Sequence, residues 1–317
     1  MAEWLYEAGI GEARAALVSR GSIWKARIEL DGPALRVGTI APARLIDKAT
    51  GKVALLDGSG EALCDPLPRG VTQGGTCLVR IVREAIPEPG RAKLPKAVPA
   101  PPDAVPMQGP DLLARIRASG HPVRILHAHE PDALEEAGWS ELLEEAMSGE
   151  IAFPGGALRL CPTPAMTLFD VDGSGPIEPL AVAAAHAVAR AMERHGITGS
   201  VGIDFPTLAS KAARQAVAEA IDAALPQPFE RTAVNGFGFL QIVRRRERAS
   251  LPERLRDDPV GAATRAELRR IERLPPPPPA TYRVSQPIAR RLAQRPDWTD
   301  ALARRIGGIT QFLSAKD

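Results

Sequence analysis

The chain has 317 residues, which is long enough for two or three compact units, each with its own core. The net charge is only +2, which excludes a protein that coats a polyanion with its whole surface, so any nucleic-acid contact must be a local patch. The three cysteines, Cys64, Cys77 and Cys161, lack CxxC spacing and predict neither a disulfide framework nor a cysteine zinc site. Without a signal-peptide pattern or a long apolar run, we expect a cytoplasmic protein with no membrane contact.

The first third of the chain has the patterning of β-strands. Residues 14–30 alternate apolar and polar side chains around Arg20 and Gly21, which predicts a hairpin within an opening segment, 1–35. Short strand-like segments punctuated by glycine follow, and they predict a small Greek-key barrel of the OB type over residues 36–94. Such a barrel commonly binds single-stranded nucleic acid, although a purely structural barrel has the same strand pattern, and stacking aromatics are not obvious here.

The rest of the chain predicts mixed α/β structure. Residues 95–110 are rich in proline, which indicates an extended linker. Helix and strand patterns then predict a reduced α/β segment over 111–154 and a sheet covered by helices over 155–250. Residues 251–317 are mostly helical and predict a small C-terminal domain, with a closing strand at 309–313.

Two aspartates follow apolar strands in the central unit. Asp170 is placed at the end of one predicted strand and Asp204 at the end of the next. If these strands are parallel neighbours, both carboxylates emerge at one edge of the sheet, and Asp172 faces the same way as Asp170. Such oxygens suit Mg²⁺ or Mn²⁺, which orient a phosphodiester and activate water. The plainer alternative is that these aspartates only cap strands or helices.

Two further motifs bear on phosphate chemistry. The string FDVDGSG resembles the nucleophile motif of haloacid-dehalogenase-type phosphatases, in which Asp170 would be phosphorylated and Asp172 would act as acid or base. The basic run Arg244-Arg245-Arg246 ends the last strand of the unit. We expect these arginines to clamp a phosphate backbone beside the metal site, unless the run is only a solvated edge.

Three segments, taken in order, resemble the catalytic core of the ribonuclease E/G family. GGALRLCPTPAMTLFDVDGSG is similar to the family's Gly-Gly, strand and Asp-Val-Asn-Ser-Gly signature, SVGIDFPTL to its second catalytic strand, and GFLQIVRRR to the strand that ends in paired arginines. The opening hairpin and the tail resemble the family's corresponding parts. The resemblance implies an α+β multidomain fold: an OB-like β-barrel, a ribonuclease-H-like and DNase-I-like α/β catalytic unit, and a small C-terminal α/β domain.

The same resemblance implies roles for the aspartates. Asp170 and Asp204 occupy the family's magnesium positions, and Asp172 stands where the family has an asparagine that orients the first aspartate. The implied activity is magnesium-dependent cleavage of single-stranded RNA, with water as nucleophile and with a 5′-phosphate and a 3′-hydroxyl as products.

The resemblance also bears on RNA contacts and assembly. Arg244 and Arg246 occupy the positions of the motif's arginines, and we assign Arg245 and Lys211 to RNA binding as well. The cysteine-based zinc link of the family is missing, so we expect no zinc and no zinc-bridged oligomer. The region of the family's 5′-monophosphate sensor is cut to residues 111–150. An RNA-binding protein that keeps the fold without efficient catalysis is therefore the main alternative.

Overall fold

The structure is a computed structural model that describes residues 1–32, 35–88, 90, 92–308 and 311–314. A few positions of the predicted hairpin, barrel and C-terminal domain, including the first two residues of the predicted closing strand, lie outside the described residues. The strands are β1 Glu3–Ala8, β2 Glu12–Ser19, β3 Ser22–Leu30, β4 Ile40–Asp47, β5 Lys52–Leu55, β6 Glu61–Cys64, β7 Thr76–Arg83, β8 Lys96–Pro99, β9 Val123–Ile125, β10 Glu150–Phe153, β11 Gly156–Pro162, β12 Thr167–Gly173, β13 Gly199–Asp204, β14 Glu230–Arg231, β15 Phe239–Arg244, β16 Thr281–Val284 and β17 Gln311–Ser314. The helices are α1 Leu112–Arg117, α2 Ala133–Glu136, α3 Trp139–Ser148, α4 Ile177–His195, α5 Lys211–Ala224, α6 Leu251–Asp257, α7 Pro259–Glu272, α8 Gln286–Gln294 and α9 Pro296–Ile306.

The predicted hairpin is part of a four-stranded sheet with the order β3-β2-β1-β9. Arg20 and Gly21 both have positive φ, as a tight two-residue hairpin turn requires, and β1 adds an antiparallel partner to β2. The strand β9, which follows the barrel strands β4–β8 in the chain, pairs in parallel with β1. One face of this sheet packs on α2, α3 and α6, where Trp139 is fully buried, and Leu112 of α1 is buried beside Trp4.

The predicted small barrel is confirmed as a closed five-stranded β-barrel, a form compatible with the OB type. Its strands follow the order β4-β5-β6-β8-β7, and β7 pairs with β4 to close it. The prediction that residues 95–110 form a linker is wrong at its start, because Lys96–Pro99 is the fifth strand. Prolines stand only at the edges of this strand, at Pro95 and Pro99, where fewer ladder hydrogen bonds are lost.

The two ends of the barrel are held together at one narrow neck. Ile40 and Met107 exchange both backbone hydrogen bonds, each at 2.9 Å. Next to them, the backbone N–H of Gly109 donates to Oγ1 of Thr39 at 3.0 Å in a buried position. A Cβ at Gly109 would lie 2.5 Å from the carbonyl oxygen of Val37, so only glycine permits this approach. The barrel is therefore an insertion between β3 and α1.

The central unit is a six-stranded mixed sheet with the order β10-β11-β12-β13-β15-β14. Only β12 and β13 are parallel; the other neighbours are antiparallel. The helices α4 and α5 cover one face over a core that includes Phe169, Ile203 and Leu240. This sheet begins at Glu150, before the predicted boundary at residue 155, because β10 pairs with β11.

The C-terminal unit consists of α7, α8, α9 and the parallel pair β16–β17 around buried Trp298. It begins with α7 rather than at residue 251, because Leu251 and Leu255 of α6 are buried against the first sheet. Glu12 of β2 connects the unit to that sheet. Its two carboxylate oxygens accept hydrogen bonds from Arg265 at 2.8 Å and Arg269 at 3.0 Å. Within the described residues, none of the helices combines the length and apolar character needed to cross a bilayer.

Candidate functional site

Asp170 and Asp204 lie side by side on the uncovered face of the six-stranded sheet. The strands β12 and β13 are parallel neighbours, as predicted, and their register pairs Asp170 with Asp204. Neighbouring strands lie about 4.8 Å apart, and paired residues point to the same face. Both aspartates are exposed, whereas the preceding Phe169 and Ile203 are buried beneath the helices. Asp170 lies within its strand rather than at its end, because β12 continues to Gly173.

Neither carboxylate has an ion-pair or hydrogen-bond partner among the residues that the structure describes. Arg159 stands opposite Asp170 on β11, but its guanidinium binds Glu150 at 3.0 Å. The capping interpretation is not supported either, because the N-terminus of α5 is capped by the Oγ of Ser210. Two adjacent carboxylates that form no ion pair with any described residue make a site that a divalent cation would complete.

Asp172 does not complete a three-carboxylate set. It shares the face of Asp170 but lies two residues further along β12, roughly 7 Å away by strand geometry. Its carboxylate accepts the backbone N–H of Gly173 at 2.8 Å. Among the described residues, no three His, Cys, Asp or Glu side chains are placed to hold a metal ion. The pair alone still fits Mg²⁺, which usually keeps several waters and takes one or two carboxylates plus phosphate oxygens.

The basic run lies at the opposite end of the sheet from the aspartates. The strand β15 is antiparallel to β13, so that Phe239 pairs with Asp204 and Arg244 lies five residues further along. At about 3.3 Å per residue, this separation is roughly 17 Å. The prediction that Arg244, Arg245 and Arg246 lie beside the aspartate pair is therefore wrong. The sequence shows a strand that ends in arginine, but not the direction in which that strand runs.

The side chains predicted to bind RNA do not contact the aspartate pair; two of the arginines form ion pairs with glutamates of helices α4 and α6. Arg244 donates to Oε1 of Glu193 on α4 at 2.6 Å, and Arg246 forms an ion pair with Glu253 of α6. Lys211 is the exposed first residue of α5, on the segment that follows β13. The structure therefore brings together the two strand aspartates, but not the aspartates and the arginines.

An aromatic side chain that sequence reasoning missed lies at the aspartate edge. Phe237 is 82% exposed, in the turn that leads into β15 next to Asp204. The turn is well ordered by hydrogen bonds: Oδ1 of Asn235 accepts the N–H of Phe237 at 2.9 Å, and Gly238 accepts the N–H of Phe205 at 3.1 Å. The signal in the sequence is an Asn-Gly turn pair followed by an aromatic residue outside any apolar pattern.

Comparison of the chain with protein-family models and with curated proteins finds no match. The fold and the site define a mixed α/β protein with an inserted closed β-barrel. Its most distinctive polar feature is the pair Asp170 and Asp204, which have no partner among the described residues and lie on an open sheet face with an exposed aromatic ring at the same edge.

Proposed function

We propose that this protein is a metal-dependent phosphodiester hydrolase that cleaves single-stranded RNA, with Asp170 and Asp204 as the ligands of Mg²⁺ or Mn²⁺. The observation that carries the proposal is the direct pairing of these two exposed carboxylates on adjacent parallel strands, without any cationic partner among the described residues. Like charges side by side repel each other, so a bound divalent cation would stabilise the pair.

When bound, the metal would orient the scissile phosphodiester, neutralise charge on its non-bridging oxygens and activate the attacking water. Asp170 and Asp204 would hold the ion from neighbouring strands of one sheet, a rigid element that fixes the two carboxylates relative to each other. Phe237 offers a ring on which a base can stack, and stacking favours unpaired bases whose faces are accessible. Among the described residues, α4 and α5 pack on the opposite face of the sheet, which leaves room for an extended RNA strand over the aspartates.

The inserted barrel supplies a second surface for binding of the RNA strand. Residues 36–99 contain no Phe, Tyr or Trp, so base stacking on the barrel is not available. Arg44 on β4 and Arg80 on β7 are exposed on neighbouring strands and can contact phosphates. We therefore expect the barrel to contribute affinity that falls steeply with salt and depends little on sequence.

The resemblance to the ribonuclease E/G family supports RNA as the substrate. In that interpretation the first sheet is the ribonuclease-H-like part, the six-stranded sheet is the DNase-I-like part, and the barrel is the OB-like insertion. The proposal keeps the expectation of a cytoplasmic protein that forms no zinc-bridged oligomer.

An RNA-binding protein without efficient cleavage is the second candidate. It is favoured by the position of Asp172, which does not join the pair, and by the remote position of Arg244. A phosphatase with Asp170 as nucleophile is a third candidate, based on sequence pattern alone.

The test is cleavage of a fluorescent single-stranded RNA in Mg²⁺ or Mn²⁺ by the wild type and by Asp170→Asn, Asp204→Asn and Asp300→Asn. Asp300 is an exposed aspartate on α9 and serves as the matched control. Changes even one step removed from a metal typically cost about 10–100-fold in activity, so we expect each of the first two variants to lose about 100-fold or more.

The outcomes separate the candidates. RNA that binds to the wild type but is never cut in either metal would refute the enzyme and support the binding protein. An acid-stable aspartyl-phosphate on Asp170 would support the phosphatase instead. Equal activity of Asp170→Asn and Asp300→Asn would contradict the role assigned to the pair.

A further inference from the structure

A basic cleft lies where the first sheet meets the six-stranded sheet. We define it by Lys25 and Arg27 of β3, Glu193 near the end of α4, Arg244 of β15, and Arg248 in the segment that follows. Seven of its described lining side chains are lysine or arginine and two are glutamate. The cleft has a volume of about 260 Å³. Pockets for drug-sized ligands measure about 300–1,000 Å³, so the space suits a small anion rather than a whole nucleotide.

The acidic groups around the basic cleft are each shared by two basic groups. Glu193 accepts Lys25 at 2.9 Å through Oε2 and Arg244 at 2.6 Å through Oε1. Burial would raise the pKa of Glu193, but these hydrogen bonds outweigh it and hold that pKa below its ordinary value. Three more carboxylates are shared in the same way: Glu247 by Arg245 and Arg248, Glu84 by Arg248 and Arg254, and Glu29 by Arg36 and Arg115. Positive charge therefore remains in excess after every pairing.

Arg27 is the cation that these pairings leave out. Its Nη1 donates to two backbone carbonyl oxygens, at 2.7 and 3.4 Å, but no carboxylate among the described residues pairs with it. Burial lowers the pKa of Arg27 to about 10; Glu193 opposes this, while Arg115, Arg248 and Arg244 lower it further. The guanidinium is thus surrounded by other cations and lacks an anionic partner.

The end of α4 is shaped to admit this side chain. The helix is terminated by Gly196 in the left-handed region, with φ of +67°. A Cβ at that position would lie 3.1 Å from Nη1 of Arg27, so glycine leaves the room that the guanidinium occupies. The carbonyl oxygens of Ala26 on β3 and Glu193 on α4 accept from Nη1, while Nε and Nη2 have no hydrogen-bond partner among the described residues. These donors are available to a ligand.

We propose that the basic cleft binds a phosphate group, with Arg27 as its central contact. A phosphate carries up to two negative charges and several acceptor oxygens, which match an excess of guanidinium donors better than any side chain of the chain does here. The site is separate from Asp170 and Asp204. Free phosphate and the phosphates of an RNA strand share this chemistry, and the inference rests on the proposed function only where RNA is the source.

The test is titration calorimetry with inorganic phosphate on the full chain. We expect binding by the wild type and at least a tenfold weaker affinity for Arg27→Met, which keeps the apolar stem and removes the charge-assisted hydrogen bonds. Lys25→Gln at the rim, which is 36% exposed, serves as a second variant in case Arg27→Met does not fold, and should weaken binding several-fold. Arg159→Gln, an exposed arginine on another strand, is the control and should bind as the wild type does.

Two results would overturn the site: no binding of phosphate by the wild type, or equal affinity of the wild type and both cleft variants. Addition of a short RNA with hydroxyl groups at both ends tests whether the ligand of the cleft is free phosphate or a phosphate of an RNA strand. Displacement of inorganic phosphate by this RNA supports the RNA strand as the ligand, and unchanged phosphate binding supports free phosphate. Asp170→Asn should keep phosphate binding, so failure of RNA cleavage and failure of this site are distinguishable.

Discussion

Replacement of Glu12 by Gln tests how the C-terminal unit is attached to the first sheet. Glu12 is 6% exposed, and its two carboxylate oxygens accept hydrogen bonds from Arg265 at 2.8 Å and Arg269 at 3.0 Å. Glutamine keeps the shape but removes the charge, which leaves two guanidinium groups where little water reaches them; Arg265 is only 5% exposed. Removal of one partner from a buried ion pair costs about 3–5 kcal/mol, so we expect Glu12→Gln to lower the free energy of unfolding by about 3 kcal/mol or more.

The assay is urea unfolding followed by circular dichroism and tryptophan fluorescence. The control is Glu267→Gln on the same helix as Arg265, because Glu267 pairs with Arg270 at 2.7 Å near the surface. An exposed pair at this spacing is worth about 0.5 kcal/mol or less, so the control should unfold almost as the wild type does. A loss below about 1 kcal/mol for Glu12→Gln would refute the reasoning, because it would mean that water or rearrangement compensates both arginines.

Three further predictions concern the aspartate pair, a buried histidine and the aromatic turn. In EDTA, Asp170→Asn should stabilise the protein by about 1 kcal/mol, because it removes repulsion between carboxylates about 5 Å apart. In urea unfolding it should also abolish the stabilisation of the wild type by Mg²⁺, and Asp300→Asn should have neither effect. Burial lowers the pKa of His195 from 6.5 to about 3, so that below pH 6.5 the unfolded chain binds a proton that the folded chain does not. The free energy of unfolding therefore decreases as the pH is lowered. Between pH 7.5 and 5.0 the loss should be about 2 kcal/mol, and His195→Gln should remove this dependence of the urea midpoint. Gly238→Ala should destabilise the protein by about 1–3 kcal/mol and weaken RNA binding, because φ is +95° and a Cβ would overlap a backbone oxygen. Gly236 has open space around it, so Gly236→Ala should be neutral in the same assays.

The strands that carry the aspartates could be predicted because their apolar residues form short, well-bounded runs. The period of two then places Asp170 and Asp172 on one face, as the structure has them. Strand direction is a different matter, because it depends on the connection rather than on the strand. The segment before β15 returns as an antiparallel neighbour of β13, and this return separates Arg244 from Asp204.

Other features escaped prediction because they depend on packing between distant segments. Lys96–Pro99 has the composition of a linker, and it becomes a strand only because β6 and β7 leave a gap in the barrel wall. Arg27 is one polar residue among several on an alternating strand, and its isolation from carboxylates follows from the end of α4. Phe237 has a local signal, but its significance depends on Asp204, which pairs with Phe239 two residues further along the chain.

The neck of the barrel has a consequence for how the first sheet assembles. The pairing of β1 with β9 must close a long loop, because the whole barrel lies between β3 and β9. Once the barrel has folded, the Ile40–Met107 pair shortens the free part of that loop from roughly 90 residues to roughly 25, which lowers the entropic cost of closure by about 1 kcal/mol. The folded insertion therefore makes it easier to complete the sheet that it interrupts, because it holds the two chain ends that lead to β3 and β9 close together. A chain whose barrel cannot close should also be slow to recruit β9, even though the barrel core and the sheet core have no side chain in common among the described residues.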